Sequence, residues 1–160
     1  MRRPRTTRTC ADALLYPAPM DLIDHADEIR TLLEAPSPAV LTVYRPDGAA
    51  HVSPVWLRVT GDDFEVVIAA RDRKLAYLER DPRCGLLVFE TTPPFRGVEV
   101  RAKAALSLDG VAAARLAIAS RNLGTEGGRR FADQRDDRGF VLRLPAGDAK
   151  TWDLRAILPS

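Results

Sequence analysis

Residues 39–70 read AVLTVYRPDGAAHVSPVWLRVTGDDFEVVIAA, and this stretch decides the fold. Three runs rich in β-branched and apolar residues lie within it, at 39–45, 49–60 and 64–70. The turn sequences PDG at 46–48 and GDD at 61–63 separate these runs. Short turns of this kind join antiparallel neighbours, because parallel strands need a long crossover connection. The stretch therefore predicts an antiparallel meander of three strands.

The flanking sequence adds helices and further strands to this meander. Apolar residues recur every three or four positions over 21–35, with Asp21 as an N-cap and Pro36 as a stop, which predicts an amphipathic helix. Residues 98–106 alternate apolar and polar side chains, as in an antiparallel strand with one solvated face. The remaining predicted elements are a short helix at 72–81, a strand at 83–90, a helix at 109–123, a polar loop at 124–128 and strands at 140–144 and 151–158. Sequential strands joined by short turns favour an antiparallel barrel over a doubly wound parallel sheet.

Length and composition set the domain organisation. The chain has 160 residues, 46% of them apolar, which predicts a basic N-terminal tail at 1–20 and a single domain at 21–160. The tail carries Arg2, Arg3, Arg5 and Arg8, which suit either a nucleic-acid arm or a solvated leader. The leader is favoured, because no aromatic residue is interleaved to stack bases.

The same composition limits partners and location. The net charge of +2 gives no overall indication of a polyanionic partner. No stretch approaches the ~20 apolar residues that span a bilayer. We therefore expect a cytoplasmic protein without membrane or nucleic-acid partners.

The usual motifs of protein-based catalysis are absent from the sequence. Cys10 and Cys84 have no spaced partner, and His25 and His51 are too few for a histidine-rich metal site, so no metal site is predicted. No nucleophile elbow, zinc-protease motif, P-loop or dinucleotide-binding glycine motif occurs either. A bound cofactor could still supply the reactive atoms, with the protein positioning it.

The sequence RDRK at 71–74 is the best candidate for holding an anionic group. It lies where a predicted strand gives way to a short helix, so cationic side chains, backbone N–H groups and the helix dipole coincide. The alternative is a solvated charged surface, which spacing alone favours.

Four segments in a fixed order carry a family resemblance. They are HVSPVW at 51–56, the pair Arg73-Lys74 with Leu78, DPR at 81–83 and RGVEV at 96–100. Over residues 36–158 the chain resembles the pyridoxamine 5'-phosphate oxidase-like family of FMN-binding split barrels. It looks most like the small actinobacterial deazaflavin-dependent branch of that family, which the short, Arg- and Ala-rich chain also suits.

The resemblance implies an antiparallel split β-barrel, mainly β with flanking helices, and a cofactor that is deazaflavin F420 or FMN. It implies that Arg73 and Lys74 hold the cofactor phosphate, and that Arg96 lies near the ring or its tail. It also implies that the tricyclic ring lies against two strands, at Ser53, Pro54, Val55 and Trp56 and at Val67, Ile68 and Ala69. A homodimer with the cofactor at the subunit interface is implied as well, with the segment around Trp152 supplied by the partner.

Several of these residues also have an alternative interpretation. Pro54 cannot donate to a strand ladder, so it marks either room for a flat ring or an edge strand or bulge. Trp56 suits a ring wall or a dimer interface, and Trp152 suits the core better than a cofactor contact. His51 is favoured as a surface residue over a proton donor. Residues 126–130 (EGGRR) suit a mobile loop better than an anion site.

The resemblance implies an oxidoreductase in which a reduced deazaflavin, or FMN in its place, delivers a hydride to an unsaturated small molecule. No catalytic side chain is assigned, because a cofactor of this kind needs orientation and electrostatics from the protein. The alternative is a non-catalytic carrier or sensor of flavin, haem or tetrapyrrole on the same barrel. The chain end after Trp152 has no evident counterpart of the segment that reads pyridoxal phosphate in the oxidase proper.

Overall fold

The computed structural model of the chain describes residues 26–135, 138–147 and 149–159, and side chains from Ile29 onward. The basic tail at 1–20 and the expected N-cap Asp21 lie outside these residues. Nine strands are described: β1 (Ala39–Tyr44), β2 (Ala50–Val55), β3 (Arg58–Thr60), β4 (Asp63–Ala69), β5 (Arg83–Phe89), β6 (Gly97–Lys103), β7 (Ala105–Ser107), β8 (Gly139–Pro145) and β9 (Lys150–Trp152). The helices are α1 (Ala26–Glu34), α2 (Arg73–Arg80) and α3 (Val111–Asp133).

The strands form two sheets in which every described pairing is antiparallel. The order is β2-β1-β5-β6-β9 in one sheet and β3-β4-β8-β7 in the other. Inward-facing side chains of both sheets, among them Leu41, Phe64, Leu86 and Leu142, are at most 1% exposed and form one core. Two antiparallel sheets that stay open around a shared core confirm the predicted split β-barrel with flanking helices.

The predicted strand at 49–60 is two strands in the structure. The chain breaks at Trp56 and Leu57, so that β2 joins the first sheet and β3 joins the second. Leu57 is 1% exposed, and burial of its side chain in the core holds the chain at this crossing between the sheets. The predicted strand at 98–106 breaks in the same way at Ala104, whose N–H donates to the carbonyl of Pro82 at 2.8 Å.

The helix predicted at 109–123 is much longer in the structure, and the loop predicted at 124–128 is wrong. Helix α3 continues to Asp133, with a non-helical backbone at Gly124 (φ 74°, ψ 167°). Glycine adopts this positive φ without a Cβ clash, so the chain changes direction there and resumes a helix. The strand predicted at 151–158 is also wrong beyond Trp152, because a 3-10 helix follows at Arg155–Ile157.

Arg121 of α3 attaches helix α1 to the barrel. Its guanidinium donates to the carbonyls of Leu33 and Ala35, at the end of α1, and to that of Leu57 at 2.6 Å. A cation at a helix C-terminus satisfies carbonyls that have no partner within the helix. Within the described ranges, no helix combines the length and the apolar character needed to cross a bilayer.

Candidate functional site

A cavity of about 230 Å³ lies where β2, β4, α2 and α3 meet. Strand β4 forms its floor, the start of α2 forms one end, and α3 covers it from the other side. The chain brings these elements together because α2 follows β4 directly, while the end of β2 reaches the same place just before Trp56. The cavity is therefore bounded by a strand, a cationic helix start and a helix surface.

Seven of the ten predicted cofactor-binding residues line this cavity. They are Pro54, Val55, Trp56, Val67, Ile68, Ala69 and Lys74. They come from three separate segments of sequence, so their meeting is a property of the fold and not of local spacing. Cofactor binding by these residues remains a prediction.

The other three predicted residues lie outside the cavity lining. Arg73 is exposed at the start of α2. Arg96 donates from its Nε to both carboxylate oxygens of Glu90 at 3.1 Å, and this hydrogen bonding holds the pKa of Glu90 below its ordinary value. The hydroxyl of Ser53 is buried and has no hydrogen-bond partner among the described residues. A role for any of the three in cofactor binding remains a prediction.

Lys74 and Asp72 form the charged end of the cavity. Asp72 is the N-cap of α2, where its Oδ1 accepts from the backbone N–H of Lys74 at 2.9 Å. Its Oδ2 accepts from the Lys74 ammonium at 2.6 Å. Burial alone would raise the pKa of Asp72, but the two hydrogen bonds from Lys74 outweigh it and hold that pKa below its ordinary value. The cation is thus held in place by a carboxylate at the helix start.

The remainder of the predicted lining is apolar and aromatic. Val67 and Ala69 lie on the face of β4 opposite the buried Val66 and Ile68. Pro54 stays in register opposite Val40 on the edge strand of its sheet, as the edge-strand interpretation of this proline expects. Pro54 also lines the cavity, and room for a flat ring beside it remains a prediction.

Five cavity residues on or just after α3 were not predicted as site residues: Arg115, Ile118, Ala119, Phe131 and Arg135. The Phe131 ring lies 5.4 Å from the Trp56 ring between centroids, at an interplanar angle of 53°. The Arg135 guanidinium lies over the Phe131 ring, 4.8 Å from its centroid. A loop at 124–128 gave no reason to place Phe131 beside Trp56, so no local pattern could have identified these residues.

The remaining sequence candidates lie elsewhere. His51 packs edge-on against Tyr77 at 5.7 Å between centroids and does not line the cavity. Trp152 covers Gly97 of its own chain, where a Cβ would overlap the indole ring. Residues 126–130 belong to α3, and Arg130 pairs there with Glu126.

The described residues contain no cluster of three or more His, Cys, Asp or Glu side chains arranged to hold a metal ion. Cys84 is buried in β5, and burial raises the pKa of its thiol to about 11. A thiol with this pKa is protonated at neutral pH and is a poor nucleophile. Cys84 is therefore not a candidate nucleophile.

Comparisons with known proteins identify relatives of this fold. A family model described as pyridoxamine 5'-phosphate oxidase matches residues 26–152. A conserved hypothetical protein of Mycobacterium tuberculosis superposes with a TM-score of 0.70 at 24% identity, covering 96% of this chain and 95% of that chain. An F420 reductase superposes with a TM-score of 0.58 at 26% identity, covering 72% of this chain and 91% of that one.

A haem storage protein of Vibrio cholerae shares the same fold. It superposes with a TM-score of 0.57 at 16% identity, covering 79% of this chain and 90% of that chain. No curated protein matches the chain. The fold is therefore shared by proteins whose names indicate different activities.

Proposed function

The chain belongs to the pyridoxamine 5'-phosphate oxidase family, and from this membership we propose that it is an oxidoreductase that uses deazaflavin F420, or FMN in its place. Either cofactor, when bound, supplies hydride transfer to or from an unsaturated small molecule. The F420 reductase at 26% identity supports the deazaflavin as the first choice. We further propose a cytoplasmic homodimer, the assembly that the family resemblance implies.

One observation carries this proposal: a single cavity combines a lysine ammonium with an apolar strand and an indole ring. A phosphate-bearing tricycle needs these two environments side by side, a cation for the phosphate and a dry flat surface for the ring. Lys74 provides the first, and Val67, Ala69 and Trp56 provide the second. The donor set therefore fits the class of cofactor that the family implies.

The roles of the side chains follow from their contacts. Lys74 is positioned by Asp72 and would act as a point charge toward the phosphate. The β4 residues would exclude water from one ring face, and Trp56, which is 40% exposed, would wall the ring on another side. Hydride transfer needs no protein nucleophile, which agrees with a described lining that holds neither histidine nor cysteine.

Turnover with a reduced cofactor tests the enzymatic part of the proposal. The protein is mixed with chemically reduced F420, or with FMN and a reductant, and a panel of enones and quinones, and reoxidation is followed by absorbance. We expect protein-dependent reoxidation with at least one acceptor, lost in Lys74→Ala and kept in Arg83→Ala, an exposed cation outside the cavity. Cofactor binding without turnover on any acceptor would overturn the enzyme assignment.

The second candidate function is a non-catalytic flavin carrier. The titratable side chains in the described lining are the Asp72–Lys74 pair and two arginines, and this lack of a further acid or base favours a carrier. Haem fits this cavity less well. Histidine, cysteine, methionine and tyrosine are the usual axial ligands of haem iron, and none of them is among the described lining residues. A haem titration followed by the Soret band separates the two carriers, and we expect no saturable shift.

A further inference from the structure

Helix α3 folds back on itself at Gly124. Residues eight apart in a straight helix are separated by about 12 Å along the axis. In α3, however, a Cβ added at Gly128 would overlap the backbone of Ser120, eight residues earlier. The second half of the helix, residues 125–133, is therefore packed against the first half, and we name it the arm.

Few contacts hold the arm in this position. Thr125, Glu126, Arg129 and Arg130 are exposed, and Gly128 is buried against Ser120. Two glycines within nine residues weaken the helix by about 1 kcal/mol each relative to alanine, and a helix this short is marginal alone. Segments with few buried apolar contacts open at low free energy.

The arm forms one wall of the cavity. Its Phe131 contacts Trp56, and Arg135, two residues beyond the arm, lies over the Phe131 ring. Trp56 is held by the crossing between the two sheets, whereas Phe131 is held by the arm. Of the two rings that meet in the cavity, Trp56 thus stands on a fixed element and Phe131 on a weakly held one.

The space between these elements is too small for a tricycle. Sites for small molecules commonly enclose about 300–1,000 Å³, and this cavity has about 230 Å³. A planar ring held between two others needs about 7 Å between their faces, twice the ~3.5 Å contact distance. The centroids of Phe131 and Trp56 are 5.4 Å apart and the ring planes are tilted by 53°, so no third ring fits between them in this arrangement.

We infer that the arm is a hinged lid that swings about Gly124 to admit a planar, anionic cofactor, and that Phe131 then closes on the ring opposite Trp56. The admission part of this inference rests on the proposed function. The hinge itself rests on Gly124, Gly128 and the Phe131 contact, and it is tested without any ligand.

Amide hydrogen exchange with mass spectrometry tests the hinge in the full chain. We expect faster exchange over residues 125–133 than over residues 111–123 in the wild type. Gly128→Ala places a Cβ against the Ser120 backbone, so it should speed exchange in the arm further. The matched control is Gly147→Ala, where the added Cβ meets no atom within 4 Å. Equal exchange in both halves of α3, or an arm unaffected by Gly128→Ala, overturns the hinge.

Stopped-flow mixing with FMN and, separately, with F420 tests admission. Gly128→Ala should raise the association rate constant about fivefold or more, because a larger fraction of the protein is open. Phe131→Ala should raise the dissociation rate constant, and Phe131→Tyr should return it to the wild-type value. These two variants also test the lid if Gly128→Ala does not fold. An unchanged association rate in a variant whose arm is open overturns the lid. Faster arm exchange with no binding by any variant supports the hinge and overturns the proposed cofactor.

Discussion

The ammonium nitrogen of Lys74 lies 2.6 Å from Oδ2 of Asp72, while the backbone N–H of the same lysine donates to Oδ1 at 2.9 Å. One carboxylate therefore caps α2 and neutralises the cation that the cofactor phosphate would need. A phosphate that approaches Lys74 meets a positive and a negative charge together. The affinity of the cavity for an anion depends on the balance between these two side chains.

Asp72→Asn should strengthen the binding of FMN or F420. Asparagine caps a helix about as well as aspartate, so α2 keeps its start while the negative charge is removed. We expect the dissociation constant to fall about two- to fivefold, since a partly exposed charge pair contributes about 0.5–1 kcal/mol. Isothermal titration calorimetry measures the constant.

The control for this substitution is Asp81→Asn. Asp81 pairs with Arg83 at the other end of α2, with the two residues again two positions apart, but it lies outside the cavity lining. We expect no change in cofactor affinity for this variant. Equal strengthening by both substitutions would mean that net charge, and not the local pair, governs binding.

Glu65→Gln should destabilise the fold. Glu65 is 3% exposed and accepts from Nε of Arg58 at 2.6 Å and from Nε of Arg143 at 2.8 Å. Removal of its charge leaves both guanidinium groups facing a neutral amide, at a cost of about 1–3 kcal/mol in the free energy of unfolding. Urea unfolding at pH 7 measures this free energy. The control is Glu99→Gln, at an exposed ion pair, which should change the free energy of unfolding by less than about 0.5 kcal/mol.

The same glutamate makes the stability depend on pH. Burial raises the pKa of Glu65, but hydrogen bonds from Arg143 and Arg58 lower it more, so the folded-state pKa lies below the ordinary 4.5. Its contribution is complete above pH 4.5 and is lost as the pH falls through the folded-state pKa. The difference between wild type and Glu65→Gln should therefore shrink toward pH 3. A difference that is constant from pH 7 to pH 3 would contradict this assignment.

Cys84 should resist alkylation in the folded protein. Burial raises the pKa of its thiol from 9.0 to about 11, which lowers the thiolate fraction at pH 8 about a hundredfold, and its 3% exposure blocks the reagent as well. Iodoacetamide labelling followed by peptide mapping should modify the Cys84 peptide only in urea. Rapid labelling of that peptide in buffer would show that β5 opens readily.

Gly97→Ala should destabilise the barrel through Trp152. A Cβ at Gly97 would overlap the indole ring, so Trp152 of β9 must leave its place over Gly97 of β6. We expect a loss of about 1–3 kcal/mol in the free energy of unfolding. Gly85→Ala on the neighbouring strand is the control, because its nearest contacts are ordinary at 3.7–3.9 Å. Equal losses in both variants would assign the effect to strand glycines in general.

Local sequence was enough to predict the hairpin and the start of the site. The PDG turn at 46–48 places Gly48 at φ 82°, and the N–H of Arg45 donates to the carbonyl of Ala49 as the hairpin requires. The charges and leucines around Lys74 predict the helix at 72–81. The same local pattern could have identified Asp72 as its N-cap. These features depend on neighbours within a few residues.

The break at Leu57 and the arm of α3 depend on contacts that are remote in sequence. Leu57 belongs to the core that the two sheets share. Only glycine fits at position 128, because the backbone of Ser120 lies where a Cβ would be. Apolar periodicity reports which face of an element is buried but not where a helix turns back on itself. This is why Phe131, a central residue of the candidate site, was not predicted.

The measurement that tests the central claim most directly is the dissociation constant of F420 and of FMN for wild type and Lys74→Ala, followed by fluorescence. The account predicts saturable binding of at least one of them, weakened about 10- to 100-fold by loss of the charge-assisted contact, with Arg83→Ala unchanged. Binding of neither cofactor, or binding that is indifferent to Lys74, would contradict the assignment of this cavity as a flavin or deazaflavin site.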